Sequence, residues 1–121
     1  LLCRQYLGWP RDDPRLIDGV EYILSNPLDY SDMNVYYWYY ATQVCHHMEG
    51  NFWRRWNEVM RQEVPEHQIR QGRERGSWAP QTDRWAIHGG GRLYVTCLSI
   101  YMLEVYYRHL PLYRQEMVLG R

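Results

Sequence analysis

From Val35 to Met48 the chain sets apolar or aromatic side chains around nearly the whole circumference of one segment. Val35, Tyr36, Tyr37, Trp38, Tyr39, Tyr40, Ala41, Val44, Cys45 and Met48 all belong to it. A Tyr-rich run suits a strand by propensity. Its length, and its continuation through Thr42 and Gln43 to Gly50, instead predict a helix over 33–49 buried on every side. A helix of that kind cannot sit on the outside of a plain bundle, where each helix shows one polar face. The rest of the chain has to cover it.

Two other segments supply the cover. Asp13 and Pro14 form an N-cap and first-turn pair. The helix they open, over 14–25, carries Leu16, Ile17, Val20, Ile23 and Leu24 on one face and stops at Asn26-Pro27. A second amphipathic helix is predicted from 51 to about 72, turned and capped by Gly50-Asn51. Phe52, Trp53, Trp56, Val59, Met60 and Val64 lie on one face, Arg54, Arg55, Glu58, Arg61 and Gln62 on the other. Pro65 is expected to kink or split it.

The remaining segments resemble 33–49. Leu1 to Leu7 reads as helical turns closed by a left-handed Gly8. After a long loop over 73–91, the stretch from Arg92 to about Leu110 is apolar almost all round, and Pro111 is expected to end it. Helices buried on all sides (1–7, 33–49, 92–110) thus alternate with helices buried on one face (14–25, 51–72). A ring of helical hairpins, its inner helices held between a central cavity and an outer layer, produces that alternation. The expected fold is all-α: about five helices in antiparallel hairpins, forming part of an α/α toroid, in one helical-repeat domain over 1–121. A weak internal repeat agrees. Cys3 to Gly8 aligns with Cys45 to Gly50, 42 positions later, and Tyr40-Ala41-Thr42 with Tyr94-Val95-Thr96, 54 positions later.

Composition narrows the function classes. The formal net charge is zero, with 14 acidic and 14 basic residues, every basic one Arg. That gives no footprint for nucleic acid, which needs a basic surplus. Twelve Tyr and six Trp against one Phe favour rings with a polar tip, suited to a cavity wall or a half-wet interface. Cys3, Cys45 and Cys97 have neither disulfide-framework nor zinc spacing and read as small hydrophobes. The longest apolar run, Leu93 to Tyr107, is about 15 residues and includes Glu104, too short and polar to span a bilayer. The opening Leu1-Leu2-Cys3-Arg4 has no signal-peptide pattern, and no residue pattern assigns a compartment.

At Gln71-Gly72-Arg73-Glu74-Arg75-Gly76-Ser77-Trp78 the chain resembles the QW motif of squalene cyclases and protein prenyltransferases, one residue longer than the family spacing. There the Gln71 amide would cap a neighbouring helix end while Trp78 packs on it beyond Gly76. Tyr36 to Thr42, Phe52 to Met60, Gly76 to Trp85 and Gly89 to Tyr113 are similar to planctomycete proteins with prenyltransferase/squalene-cyclase-type repeats. The resemblance implies a toroid of terpenoid-cyclase or prenyltransferase type and a place in the C-terminal portion of a larger repeat protein. It implies no activity, and an uncharacterised ligand- or partner-binding module is the leading expectation. The alternative is part of a cyclase or prenyltransferase-like enzyme whose catalytic acids lie outside this segment.

The chain itself offers little catalytic chemistry. Asp12-Asp13 is the only adjacent acid pair and reads as a helix cap, not as an alkene-protonating or diphosphate-metal motif. Val95 stands where the resemblance would put a zinc-binding His. Cys45-His46-His47 with Glu49 is a poor metal cluster, because adjacent helical residues point about 100° apart. No metal or cofactor is expected. His88-Gly89-Gly90-Gly91 matches an esterase oxyanion string, but no Gly-x-Ser-x-Gly elbow accompanies it. One site idea remains: Gly90, Gly91 and Arg92 open a helix and could hold an anion. Tyr36, Tyr40, Trp85, His88 and Tyr94 would wall a cavity around it. The expected partners are an apolar or anionic small molecule and, because a partial ring leaves apolar faces, further copies of the chain or the rest of a toroid.

Overall fold

The structure, a computed structural model, describes residues 1–119, with side chains described as far as Val105. It contains five α-helices: α1 (Leu2–Tyr6), α2 (Pro14–Ser25), α3 (Val35–Met48), α4 (Gly50–Glu66) and α5 (Gly91–Leu119). A π-helical turn over Ala86–Gly90 precedes α5, and no strand occurs among the described residues. None of these helices is long and apolar enough to cross a membrane.

The helices form two layers. α1 and α5 both pack against α3, while α2 packs against α4, and α4 reaches across to α3 and α5. Within the first layer the helices run in the same direction. Tyr36 and Tyr94, near the starts of α3 and α5, line one depression, and further along Tyr39 meets Tyr101 with ring centroids 6.1 Å apart. Gln5 of α1 donates to the Val44 carbonyl 3.1 Å away, and Tyr6 meets the His47 ring edge-on at 5.5 Å.

Local chemistry explains the boundaries. Asp13 accepts from the Arg15 N–H, so α2 begins at Pro14, as the cap pair predicts. Gly8 adopts φ 83°, and Trp9 N–H returns to the Arg4 carbonyl, which closes α1. Asn34 caps α3 through the Tyr37 N–H. At the other end of α2 the Tyr37 hydroxyl shares its hydrogen between the carbonyls of Ile23 and Asn26, at 3.3 and 3.0 Å. Between the layers, Trp56 Nε1 donates to Thr42 Oγ1 (2.9 Å), which itself donates to the Trp38 carbonyl (2.7 Å). All three residues are buried.

Several expectations change. α4 ends at Glu66, not near residue 72, because Pro65 lies in its last turn and the chain then doubles back. Ile69 and the 76–77 segment exchange backbone hydrogen bonds of 2.9 and 2.7 Å. The turn before α4 is made by Glu49 and Gly50 together, at φ 60° and 52°, so Gly50 turns the chain as expected, but Asn51 lies inside the helix and does not cap it. α5 does not stop at Pro111 but continues to Leu119; a proline removes one donor from a helix without having to end it. α1 has no buried residue, since only α3 covers it. α3, and α5 as far as Val105, each leave one face open, where Tyr36, Tyr40, Ile100 and Tyr101 are exposed; the rest of the stretch expected to be buried to Leu110 lies outside the described side chains.

Trp78 and Gln71, paired in the sequence analysis, lie in different surroundings. Trp78 is buried, and its indole donates to the Val64 carbonyl at 2.6 Å, satisfying a helix-end acceptor of α4. Gln71 is exposed and bonds to nothing among the described residues. The Gln68 amide donates to the Gly76 carbonyl at 2.9 Å, closing the loop and not a helix end.

Candidate functional site

The starts of α3 and α5 are brought together by one carboxylate. Asp83 is fully buried; Oδ2 accepts from the Val35 N–H at 2.8 Å, and Oδ1 from the N–H groups of Trp85 and Ala86 at 3.0 and 2.9 Å. It therefore caps α3 and the turn leading into α5 at once, where N–H groups and helix dipoles favour negative charge. Next to it, Thr82 Oγ1 accepts from the Met33 N–H at 3.1 Å. This double clamp sets Asn34 of one segment beside Trp85 of the other.

Around that junction lie two open depressions that share Asn34 and Trp85. One, of about 480 Å³, is completed by Tyr36, Gly90 and Tyr94. The other, of about 650 Å³, is completed by Asp32, Met33, Arg84 and His88. Gly90 has a specific reason to be glycine: a Cβ there would collide with the Tyr94 side chain. Gly91, at φ 55°, then makes the left-handed break between the π-helical turn and α5.

Of the residues expected to wall a cavity, Tyr36, Trp85 and Tyr94 meet in the first depression and His88 lines the second. Tyr40 extends the wall, its ring 4.9 Å from Tyr36 and 5.0 Å from Tyr39. Hydrogen bonding with Tyr36 raises the Tyr40 phenol above its ordinary value, and burial raises that of Tyr94. Arg92 is elsewhere. Its guanidinium meets Glu74 at 2.9 Å and Ser77 Oγ at 3.3 Å, so it ties α5 to the 69–78 loop. The anion site expected at Gly90, Gly91 and Arg92 thus has its cation turned to an internal acid.

The other clusters are structural. His46 and His47 present their rings 6.0 Å apart at 72°, and His46 packs on Trp53. No group of three His, Cys, Asp or Glu side chains converges among the described residues. Burial pushes the Cys45 thiol up to about 12, which makes it an inert core residue, not a nucleophile.

Sequence reasoning missed Asp83 and Asp32. The signal for Asp83 was present, because Thr82-Asp83 followed by Arg84-Trp85-Ala86 is an N-cap string within a stretch taken for a loop. No local pattern marks Asp32, which joins the site only through the fold. No protein-family model, curated protein or solved structure matches this chain.

Proposed function

We propose that the chain is a helical-repeat module of the prenyltransferase/squalene-cyclase kind of α/α toroid, binding an apolar ligand or partner and not catalytic by itself. The observation that carries this is the open aromatic face of the first layer. Tyr36 is 52% exposed, Tyr40 39%, Trp85 67% and Tyr101 45%, whereas the opposite sides of α3 and α5 are packed on the second layer. Exposed rings in a continuous row mark a binding surface more often than idle solvent contact. The parallel first-layer helices, backed by α2 and α4, also suit a stack of helical hairpins.

On this reading the face is a cavity wall that is closed by further helices or by other copies of the chain. Native mass spectrometry and sedimentation of the purified chain test it together. A homo-oligomer, or a co-purifying apolar molecule of a few hundred daltons, is expected. An empty monomer at micromolar concentration would overturn the proposal.

A further inference from the structure

The two depressions beside Trp85 differ in chemistry. The one walled by Tyr36 and Tyr94 offers rings and the bare backbone of Gly90, with Asn34 at the border it shares with its neighbour. Its neighbour offers a carboxylate, a carboxamide, a guanidinium and an imidazole, from Asp32, Asn34, Arg84 and His88. Among the described residues the Asp32 carboxylate and the Arg84 guanidinium make no ion pair and no side-chain hydrogen bond. Asn34 uses its Oδ1 on the Tyr37 N–H and leaves its Nδ2 donors open.

A ligand lying across both depressions has to satisfy both chemistries. A purely apolar chain would strip water from Asp32 and Arg84 and return no hydrogen bond, which is costly for charged groups. The formal charges of those two residues cancel, so the polar depression selects no net charge. What matches is a head group that donates to the carboxylate and accepts from the guanidinium. Hydroxyls do both. The Trp85 indole, exposed and between the two, supplies a flat face for the C–H side of a sugar ring. Each depression, at about 480 and 650 Å³, is of the size that small-molecule sites use.

We infer that the depressions form one bipartite site for an uncharged glycosylated amphiphile, its alkyl chain against Tyr36 and Tyr94 and its sugar head group on Asp32, Asn34, Arg84 and His88. This inference rests on the proposal that the aromatic face binds apolar ligands.

Isothermal titration calorimetry with four probes separates the two ideas: decyl maltoside below its micelle concentration, decan-1-ol, decyl phosphate and maltose. Wild-type protein should bind decyl maltoside about ten-fold more tightly than decanol, the gain expected of one hydrogen bond to a charged group. The double substitution Asp32→Asn with Arg84→Gln should bring the two within about two-fold and leave decanol binding unchanged. Both positions are exposed, so the variant should fold normally. Equal binding of maltoside and decanol to the wild type refutes the head-group half and leaves the apolar-face proposal standing. Tighter binding of decyl phosphate refutes the uncharged preference, and maltose binding as tightly as its decyl derivative refutes the bipartite site. Failure of both alkyl compounds to bind refutes the apolar-face proposal as well.

Discussion

Tyr36 and Tyr37 are neighbours on α3 with the same side chain and opposite surroundings. Tyr37 turns toward the second layer, where its hydroxyl closes two carbonyls at the end of α2 and burial pushes its pKa up to about 12. Tyr36 turns to the open side, edge-on to Tyr40 and beside Trp85. The same contrast separates Trp56, packed and bonded between the layers, from Trp85, two-thirds exposed. Residue type did not decide these outcomes. Whether a second layer lies behind a given face did.

Substitutions can test how sharp that division is. The largest effect should come from Trp56→Ala, which empties an interlayer site and removes the donor to Thr42 Oγ1; a loss of about 3–5 kcal/mol in urea unfolding is expected. Trp85→Ala should change stability by no more than about 0.5 kcal/mol. Similar losses for the two would erase the distinction. Asp83→Ala should follow at about 2–4 kcal/mol, because three N–H groups, two of them buried, lose their acceptor. On the proposed function it should also weaken decyl maltoside binding, whereas Trp56→Ala acts on stability alone.

Alkaline titration probes the covered side by another route. Cys45 and Tyr37 both have folded pKa values raised to about 12, against ordinary values of 9.0 and 10.0. Their stabilising contribution is therefore full below pH 9 and is lost as the pH rises toward 12. The urea midpoint should begin to fall above pH 9 in the wild type and only above pH 10 in Cys45→Ala. An identical onset in both would mean that the thiol is not shielded. The smallest effect belongs to Arg11, whose guanidinium meets both Glu49 carboxylate oxygens at 2.7 and 2.6 Å on the surface. Arg11→Ala should cost less than about 1 kcal/mol in the same assay, and less still at high salt.

How much of this was legible in the residues depends on whether the signal was local. α2 was readable to its ends because Asp13, Pro14 and Asn26-Pro27 act within one turn of chain. α4 was read too long because the hydrophobic period of 51–64 says nothing about the turn after Pro65. The all-α class followed from periodicity, but the burial of α1 did not, since it depends on what else packs there. At the candidate site, Tyr36, Trp85 and Tyr94 could be grouped from the idea of inner helix starts. Arg92 could not be placed, because its partner Glu74 is brought to it by the loop, and the Gln68–Gly76 bond likewise follows from the doubling back at 69–77.

The carboxylate of Asp83 also has a consequence for how the molecule opens. It bonds to Val35, 48 residues away, and to Trp85 and Ala86 on its own side. Releasing either segment leaves a buried charge short of donors, so neither should fray alone. In hydrogen–deuterium exchange the amides of Val35, Trp85 and Ala86 should exchange in step, as members of one cooperative unit despite their separation along the chain.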